Sequence, residues 1–280
     1  MAYAEMGVAD LYLDLLKRTL TGAVYQDNDQ ILGGHTRGSG TWKHRLGNRL
    51  GDLASAHGFE LVRKRPYDAV LRERGLDYPA RAHSMIGLRR MDNLQECVEA
   101  VLRDDIPGDL IETGVWRGGA TILMRGVLKA HGDCQRTVWV ADSFEGLPRP
   151  EPTQYPLDAG DQFHLRADLR VGIEAVKQNF RNYGLLDGQV QFLVGWFRDT
   201  LPTASIGQLA VLRLDGDMYE STMQALKPLY PKLEVGGFCI VDDFSLPRTR
   251  QAIEDYREAH DVDDEILDID GQACYWRKTR

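Results

Sequence analysis

Two acidic clusters stand at the ends of apolar runs. Leu214-Asp-Gly-Asp-Met-Tyr219 and Ile240-Val-Asp-Asp-Phe244 supply Asp215, Asp217, Asp242 and Asp243. Carboxylates gathered in one place repel one another and are costly when unpaired. A bound cation resolves that. The clusters contain no His or Cys, so every donor is oxygen. Such a set suits a hard ion, Mg²⁺ first, with Ca²⁺ or Mn²⁺ also compatible. An ion of this kind acts as a Lewis acid on a substrate hydroxyl, and a neighbouring carboxylate can take the proton. In extended chain Asp215 and Asp217 would point to the same side, and Gly216 leaves room for a ligand. His164, in a polar stretch, is a second candidate base.

A second constellation is built around Gly108-Asp-Leu-Ile-Glu-Thr-Gly-Val-Trp-Arg-Gly-Gly-Ala120, read as strand, glycine turn and helix start. Gly114 permits a turn that a side chain would obstruct. Glu112 closes the strand. A dinucleotide fingerprint has a glycine two residues after the first, so that pyrophosphate can approach the backbone. Here that place is Trp116, which blocks such an approach. A ligand with adenosine but no phosphate is favoured, and S-adenosylmethionine (SAM) is the obvious one. The helix N-terminus can then face the methionine carboxylate. Asp142 ends the next strand, where a carboxylate can accept from both ribose hydroxyls, and Ser143 follows it. Trp196 and Phe197, after the third strand, are placed to flank an adenine ring.

These residues need strands to carry them, and the second half of the chain supplies the pattern. From Pro107 strand and helix alternate: strands at Leu110–Glu112, Arg136–Asp142, Val190–Val194, Leu209–Asp215 and Gly237–Asp243, with helices between them. Residues 146–170 carry four prolines and mixed charge, which reads as a long loop of the kind that forms lids. Glu265–Ile269 and Ala273–Trp276, joined through Asp270-Gly271, read as a hairpin. Alternation predicts a mostly parallel sheet with helices on both faces. Sites in such sheets lie beyond the carboxyl ends of the strands, and that rule selects Glu112, Asp142, Asp215, Asp242 and Asp243.

Upstream, Leu11–Leu20 is an amphipathic helix with Leu11, Leu15, Leu16 and Leu20 toward one side, packed on the main domain or on a second copy. Residues 27–80 are locally basic, with a flexible stretch at 33–40 and then Lys43, His44, Arg45, Arg49 and Arg63-Lys-Arg65. Such a segment attracts an anionic partner or forms a solvated face. A helix of about a dozen residues follows, capped at Asp92 or Asn93, with Leu94, Val98 and Val101 or Leu102 as its stripe.

The chain has 280 residues, 43% hydrophobic content and a net charge of -8. That suits one α/β domain with an appendage, here divided into an N-terminal segment 1–80 and a catalytic domain 81–280. The charge does not suggest a general nucleic-acid binder. Cys97, Cys134, Cys239 and Cys274 lack paired spacing and read as buried thiols in a reducing compartment. With no apolar run long enough for a bilayer and no signal-peptide pattern, the expectation is a cytoplasmic protein.

Taken together, the chain resembles the macrocin O-methyltransferase family. The matching segments include Asp77-Tyr-Pro-Ala-Arg-Ala-His-Ser-Met-Ile-Gly87, Glu112–Gly119, Val140–Phe144, Gly195–Thr200, Leu214–Asp217 and Val241–Asp243. The likeness spans nearly everything except about residues 28–74. It implies a Rossmann-like class I methyltransferase fold with a mostly parallel seven-stranded sheet and an antiparallel C-terminal hairpin. It implies SAM and Mg²⁺, with Asp215, Asp242 and Asp243 on the metal and Asp215 or Asp217 as general base. Glu112, Gly114, Asp142 and Ser143 would line the SAM site, with Met85 and Trp196 as further candidates. The acceptor would be a hydroxyl of a deoxysugar on a macrolide, aminocoumarin or glycolipid. A homodimer or larger homo-oligomer is implied, with the N-terminal segment helping to form contacts. Two other readings compete. An NAD-dependent sugar oxidoreductase or epimerase is opposed by Trp116 and by the lack of a Tyr-x-x-x-Lys pair. A catalytically silent sugar- or nucleotide-binding protein would need no metal.

Overall fold

The computed structural model describes residues 7–26, 28–33, 42–77 and 79–280, without the side chains of residues 43 and 44. The predicted flexible stretch 33–40 lies almost wholly outside them. In chain order the elements are α1 (Val8–Leu20), β1 (Gln30–Leu32), α2 (Trp42–Ala56), β2 (Leu61–Arg63), α3 (Ala69–Glu73) and α4 (Gly87–Arg103). Then come β3 (Asp109–Thr113), α5 (Gly119–Ala130), β4 (Val138–Asp142), α6 (Ile173–Asn182), β5 (Val190–Val194), α7 (Phe197–Thr200) and β6 (Leu209–Leu214). The chain closes with α8 (Tyr219–Leu229), β7 (Leu233–Val241), α9 (Pro247–Ala259), β8 (Leu267–Asp268) and β9 (Cys274–Arg277).

The seven-stranded sheet runs β5-β4-β3-β6-β7-β9-β8. The first five are parallel, and β9 is antiparallel to both β7 and β8. This is the expected doubly wound architecture with its terminal hairpin. From central β3 the chain first builds outward through β4 and β5, then returns to build β6 and β7 on the other side. The reversal opens a crevice between the ends of β3 and β6, where ligands of such sheets bind. β6 is buried along its whole length, as a central parallel strand must be.

α1 packs on α5 and α4 and contributes Leu13, Leu16 and Leu20 to the main core. The buried face is therefore shifted from the expected one. Leu16 and Leu20 are inside, but Leu11 and Leu15 are 43% and 58% exposed. Both sides of this helix carry leucines, so hydrophobicity alone did not choose between them.

α4 begins at Gly87, well before the expected cap. Asp92 and Asn93 lie inside the helix; Asp92 pairs with Lys17, and Asn93 is buried. The polar run Arg89-Arg90 hid the first turn, because Arg90 turns inward to ionic partners. The stripe Leu94, Val98 and Val101 is buried as expected. Of the cysteines, three are buried and Cys134 is exposed; all are free thiols. No helix among the described residues is long and apolar enough to cross a membrane.

The segment 146–170, expected as a lid, carries three short 3₁₀ turns at Pro156–Asp158, Phe163–Leu165 and Ala167–Leu169. Its attachments are specific. The fully buried Asp158 accepts from the backbone N–H of Tyr219 and of Glu220, each at 2.9 Å, and so caps α8 from outside. Asp161 pairs with Arg248 at 2.7 Å. Trp116 Nε1 donates to the Asp168 carbonyl at 2.9 Å.

Candidate functional site

A cavity of about 300 Å³ lies at the carboxyl ends of β3, β4, β6 and β7. Of the site residues expected from the sequence, Met85, Glu112, Gly114, Asp142, Ser143 and Trp196 line it, together with Asp215, Asp217, Asp242 and Asp243. His164 does not. It is half-buried in the lid, and its Nδ1 has no hydrogen-bond partner among the described residues.

Gly114 has φ +88°, and a Cβ there would fall 1.8 Å from the Asp215 carbonyl oxygen. The glycine is thus demanded by the close approach of two strand ends, one from each half of the sheet. Asp142 is fixed by backbone donors: Val115 N–H to Oδ2 at 2.8 Å and Phe144 N–H to Oδ1 at 2.7 Å. The Trp116 N–H and the Ser143 hydroxyl, 3.4 Å from Oδ1, add to these donors. Burial raises the Asp142 pKa and these N–H groups oppose the rise. The Ser143 hydroxyl donates to the Gly146 carbonyl at 2.7 Å and so serves the turn that carries Asp142.

The acidic cluster is organised by two arginines that sequence reasoning missed. Arg213, 1% exposed, donates to Glu112 Oε1, to Asp215 Oδ2 at 2.8 Å and to Asp242 Oδ1. Arg90 donates to Asp242 Oδ2 at 2.7 Å and to Asp270 Oδ2 at 2.9 Å. Arg213 carried a signal, as the one charge in an apolar strand with Asp two residues on; Arg90 carried none. Guanidinium forks suit this duty because they present several donors in a plane.

One oxygen each of Asp215, Asp242 and Asp243 can lie within 4.8 Å of the others. Asp217 joins them differently from the sequence expectation. The chain does not run extended through Asp217, which has φ +59°. Its N–H donates to Asp243 Oδ2 at 3.2 Å and its carbonyl accepts from Arg248 Nε at 2.7 Å. A non-glycine residue held in this region is strained, and the surrounding contacts hold it there. Its carboxylate has no hydrogen-bond partner among the described residues.

Crowding shows in the acidities. Burial pushes Glu112 up to about 8, against the pull of Arg213. Burial and then the Asp215 and Asp242 charges push Asp217 up to about 7. Asp243 is raised well above the carboxylate range by burial and the Asp217 charge. Asp215 is raised by burial and by Asp242. Arg90 and Arg213 thus pair with four carboxylates, Glu112, Asp215, Asp242 and Asp270, and the Asp217 and Asp243 carboxylates lie beside them with no ion pair among the described residues. The oxygen-only donor set and the surplus of negative charge fit a hard divalent cation. Glu112 Oε2 is buried without a partner among the described residues. An acceptor atom so placed fits the ammonium group of an amino-acid moiety.

A family model described as Macrocin-O-methyltransferase (TylF) matches residues 9–278. Mycinamicin III 3''-O-methyltransferase of Micromonospora griseorubida is 46% identical over 273 residues, covering 96% of this chain and 97% of that protein. The 8-demethyl-8-(2,3-dimethoxy-alpha-L-rhamnosyl)-tetracenomycin-C 4'-O-methyltransferase of Streptomyces olivaceus is 48% identical over 271 residues, covering 96% and 93%. The solved structure of the O-methyltransferase NovP superposes with a TM-score of 0.83 at 46% identity, covering 97% of this chain and all of that one.

Proposed function

The chain belongs to the macrocin O-methyltransferase family and is an O-methyltransferase, and from that premise we propose that it uses SAM and Mg²⁺ to methylate a deoxysugar hydroxyl on a glycosylated natural product. The observation that carries the proposal is the convergence of Asp215, Asp242 and Asp243 in the same cavity as Glu112 and Asp142. The sugar class follows the names of the relatives, which act on glycosylated antibiotics. The dehydrogenase reading gains no support from these relatives.

In this proposal Asp215, Asp242 and Asp243 hold the cation, with Arg213 and Arg90 keeping Asp242 in place. Glu112 and Asp142 hold the ammonium and ribose ends of the methyl donor, and Trp196 lies beside its adenine. When bound, SAM supplies an electrophilic methyl group and Mg²⁺ polarises the acceptor hydroxyl. Of the two candidate bases, Asp217 is favoured. Asp215 is engaged by Arg213, whereas the Asp217 carboxylate is free and pushed up to about 7, near the working pH of a general base. The lid, pinned through Asp158, Asp161 and Trp116, excludes water and helps align the displacement at carbon.

Residues 28–74 we assign to the cover of the acceptor, and the exposed apolar stripe of Val8, Leu11, Tyr12 and Leu15 on α1 to a homodimer contact. The Asp215→Asn variant tests the core of the proposal. Turnover of a rhamnosyl macrolide should fall to near background, with calorimetric SAM affinity largely kept. Turnover that survives at saturating SAM would show that the metal site is misassigned.

A further inference from the structure

The catalytic account leaves one buried acid of the cavity wall without a task. Glu220 lies in the first turn of α8, three residues beyond Asp217, and is 2% exposed. It lines the cavity together with Gln224. Its Oε1 accepts from Gln224 Nε2 at 2.8 Å. Its Oε2 is buried and has no hydrogen-bond partner among the described residues. An acid in a first helical turn is ordinarily explained by the helix dipole and the free N–H groups there. That explanation is weak here, because the first N–H groups of α8 already donate to Asp158. The nearby Arg198 is engaged by Glu151 at 3.2 Å. A buried acceptor left unpaired costs free energy, and such atoms call for a reason. A donor arriving with a ligand supplies one.

The position narrows the donor. Glu112 and Gly114 sit at the end of β3, and Asp142 at the end of β4. A ligand laid along these residues continues toward the loop after β5, where Trp196, Phe197 and Arg198 line the same cavity. α7 grows from that loop and packs on α8, and Phe197 and Ser221 both lie near Gly216. Glu220 therefore faces the far end of a nucleoside whose ribose is at Asp142.

We propose that Glu220 is an adenine-recognition residue: its Oε2 accepts a hydrogen bond from the exocyclic amine of the methyl donor, and Gln224 holds the carboxylate in place for it. This rests on the reading of the cavity as a SAM site. The competing source of a donor is a hydroxyl of the acceptor, and the test separates the two.

The experiment is calorimetric titration of S-adenosyl-L-homocysteine and of its deaminated analogue, S-inosyl-L-homocysteine, into the full-length protein. The wild type should prefer the adenosyl compound by about tenfold or more, the scale of a hydrogen bond to a charged group. Glu220→Met removes the acceptor oxygen at similar length and should abolish that preference by weakening the adenosyl compound alone. Glu220→Gln keeps an acceptor oxygen, since Gln224 can turn its amide to match, and should restore most of the preference. Thermal melting of each variant controls for folding. Equal wild-type affinity for the two compounds overturns the proposal without needing any variant. Unchanged affinity for the adenosyl compound in Glu220→Met also overturns it and leaves the acceptor hydroxyl as the donor. Failure of the wild type to bind either compound would instead sink the SAM reading itself.

Discussion

Replacing Arg213 by Met tests how the acidic site is tolerated at all. The guanidinium is 1% exposed and donates to Glu112, Asp215 and Asp242. Removing one partner of a buried ionic network costs about 3–5 kcal/mol, because the remaining charges are left uncompensated. For a chain of this size that corresponds to a loss on the order of 10 °C in Tm. The penalty should depend on pH, and its sign can be worked from Glu112. Its folded pKa, about 8, lies above the ordinary glutamate value of 4.5. The folded state therefore favours the protonated acid. Its contribution is most favourable below the unfolded pKa and is lost as pH rises toward 8, at up to about 1.4 kcal/mol per pH unit for one proton. Without Arg213 that folded pKa climbs further, so the loss continues past pH 8. From pH 5 to about pH 8 both proteins lose this contribution in parallel, so the variant should lie below wild type by a steady amount; above pH 8 the gap should widen, because only the variant goes on losing it. Urea denaturation across this range, in EDTA, measures it. A pH-independent difference under about 1 kcal/mol would refute the view that Arg213 offsets buried negative charge.

Asp217→Asn should lower kcat by about 10²–10⁴-fold, the usual worth of a general base, with calorimetric SAM affinity unchanged. A base works deprotonated, so wild-type activity should rise with pH along an acid limb at or below about 7, since a bound cation lowers the pKa of Asp217 from the value it has in the protein alone. That limb should vanish in the variant; an identical pH profile would reassign the base. Asp158→Ala frees two N–H groups of α8 and should cost about 0.5–2 kcal/mol. It should also speed proteolysis within residues 146–170, and unchanged cleavage would show that the cap does not hold the lid. Gly114→Ala would set a Cβ 1.8 Å from the Asp215 carbonyl at φ +88°. It should abolish turnover even where circular dichroism shows a folded protein, and near-normal turnover would mean that this strand end moves freely.

The sheet was legible because its signals are local. Apolar runs of strand length, glycine turns and the Asp270-Gly271 hairpin each follow from backbone preferences that need no partner. The candidate site was legible for a related reason: carboxylates at strand ends are named by the sheet rule alone. What stayed hidden depends on pairing across the fold. Arg90 looks like an exposed helix residue until Asp242 and Asp270, 152 and 180 positions away, come to meet it. α1 has leucines on both sides, and only the surface of α5 decides that Leu13 goes inside. Asp217 was read as extended, because a left-handed aspartate is unusual and has no sequence mark; it is held by Asp243 and Arg248 from other elements.

The same pairing explains why the lid and the acidic site form one electrostatic unit. Arg248 stacks over Phe163, pairs with Asp161 of the lid, and donates to the carbonyl of Asp217. A single side chain on α9 therefore fixes both the lid and the backbone of the candidate base. Arg213 does the corresponding work one strand away, tying Glu112 at the end of β3 to Asp215 and Asp242 beyond β6 and β7. With both in place the carboxylates are arranged before any ligand arrives, and reaction need not pay for their ordering. The cost of that preorganisation is the strain at Asp217 and the raised pKa values of its neighbours. A fold that buried these charges for stability alone would do better with apolar residues of similar volume. Their burial is what the proposed cation site and general base require.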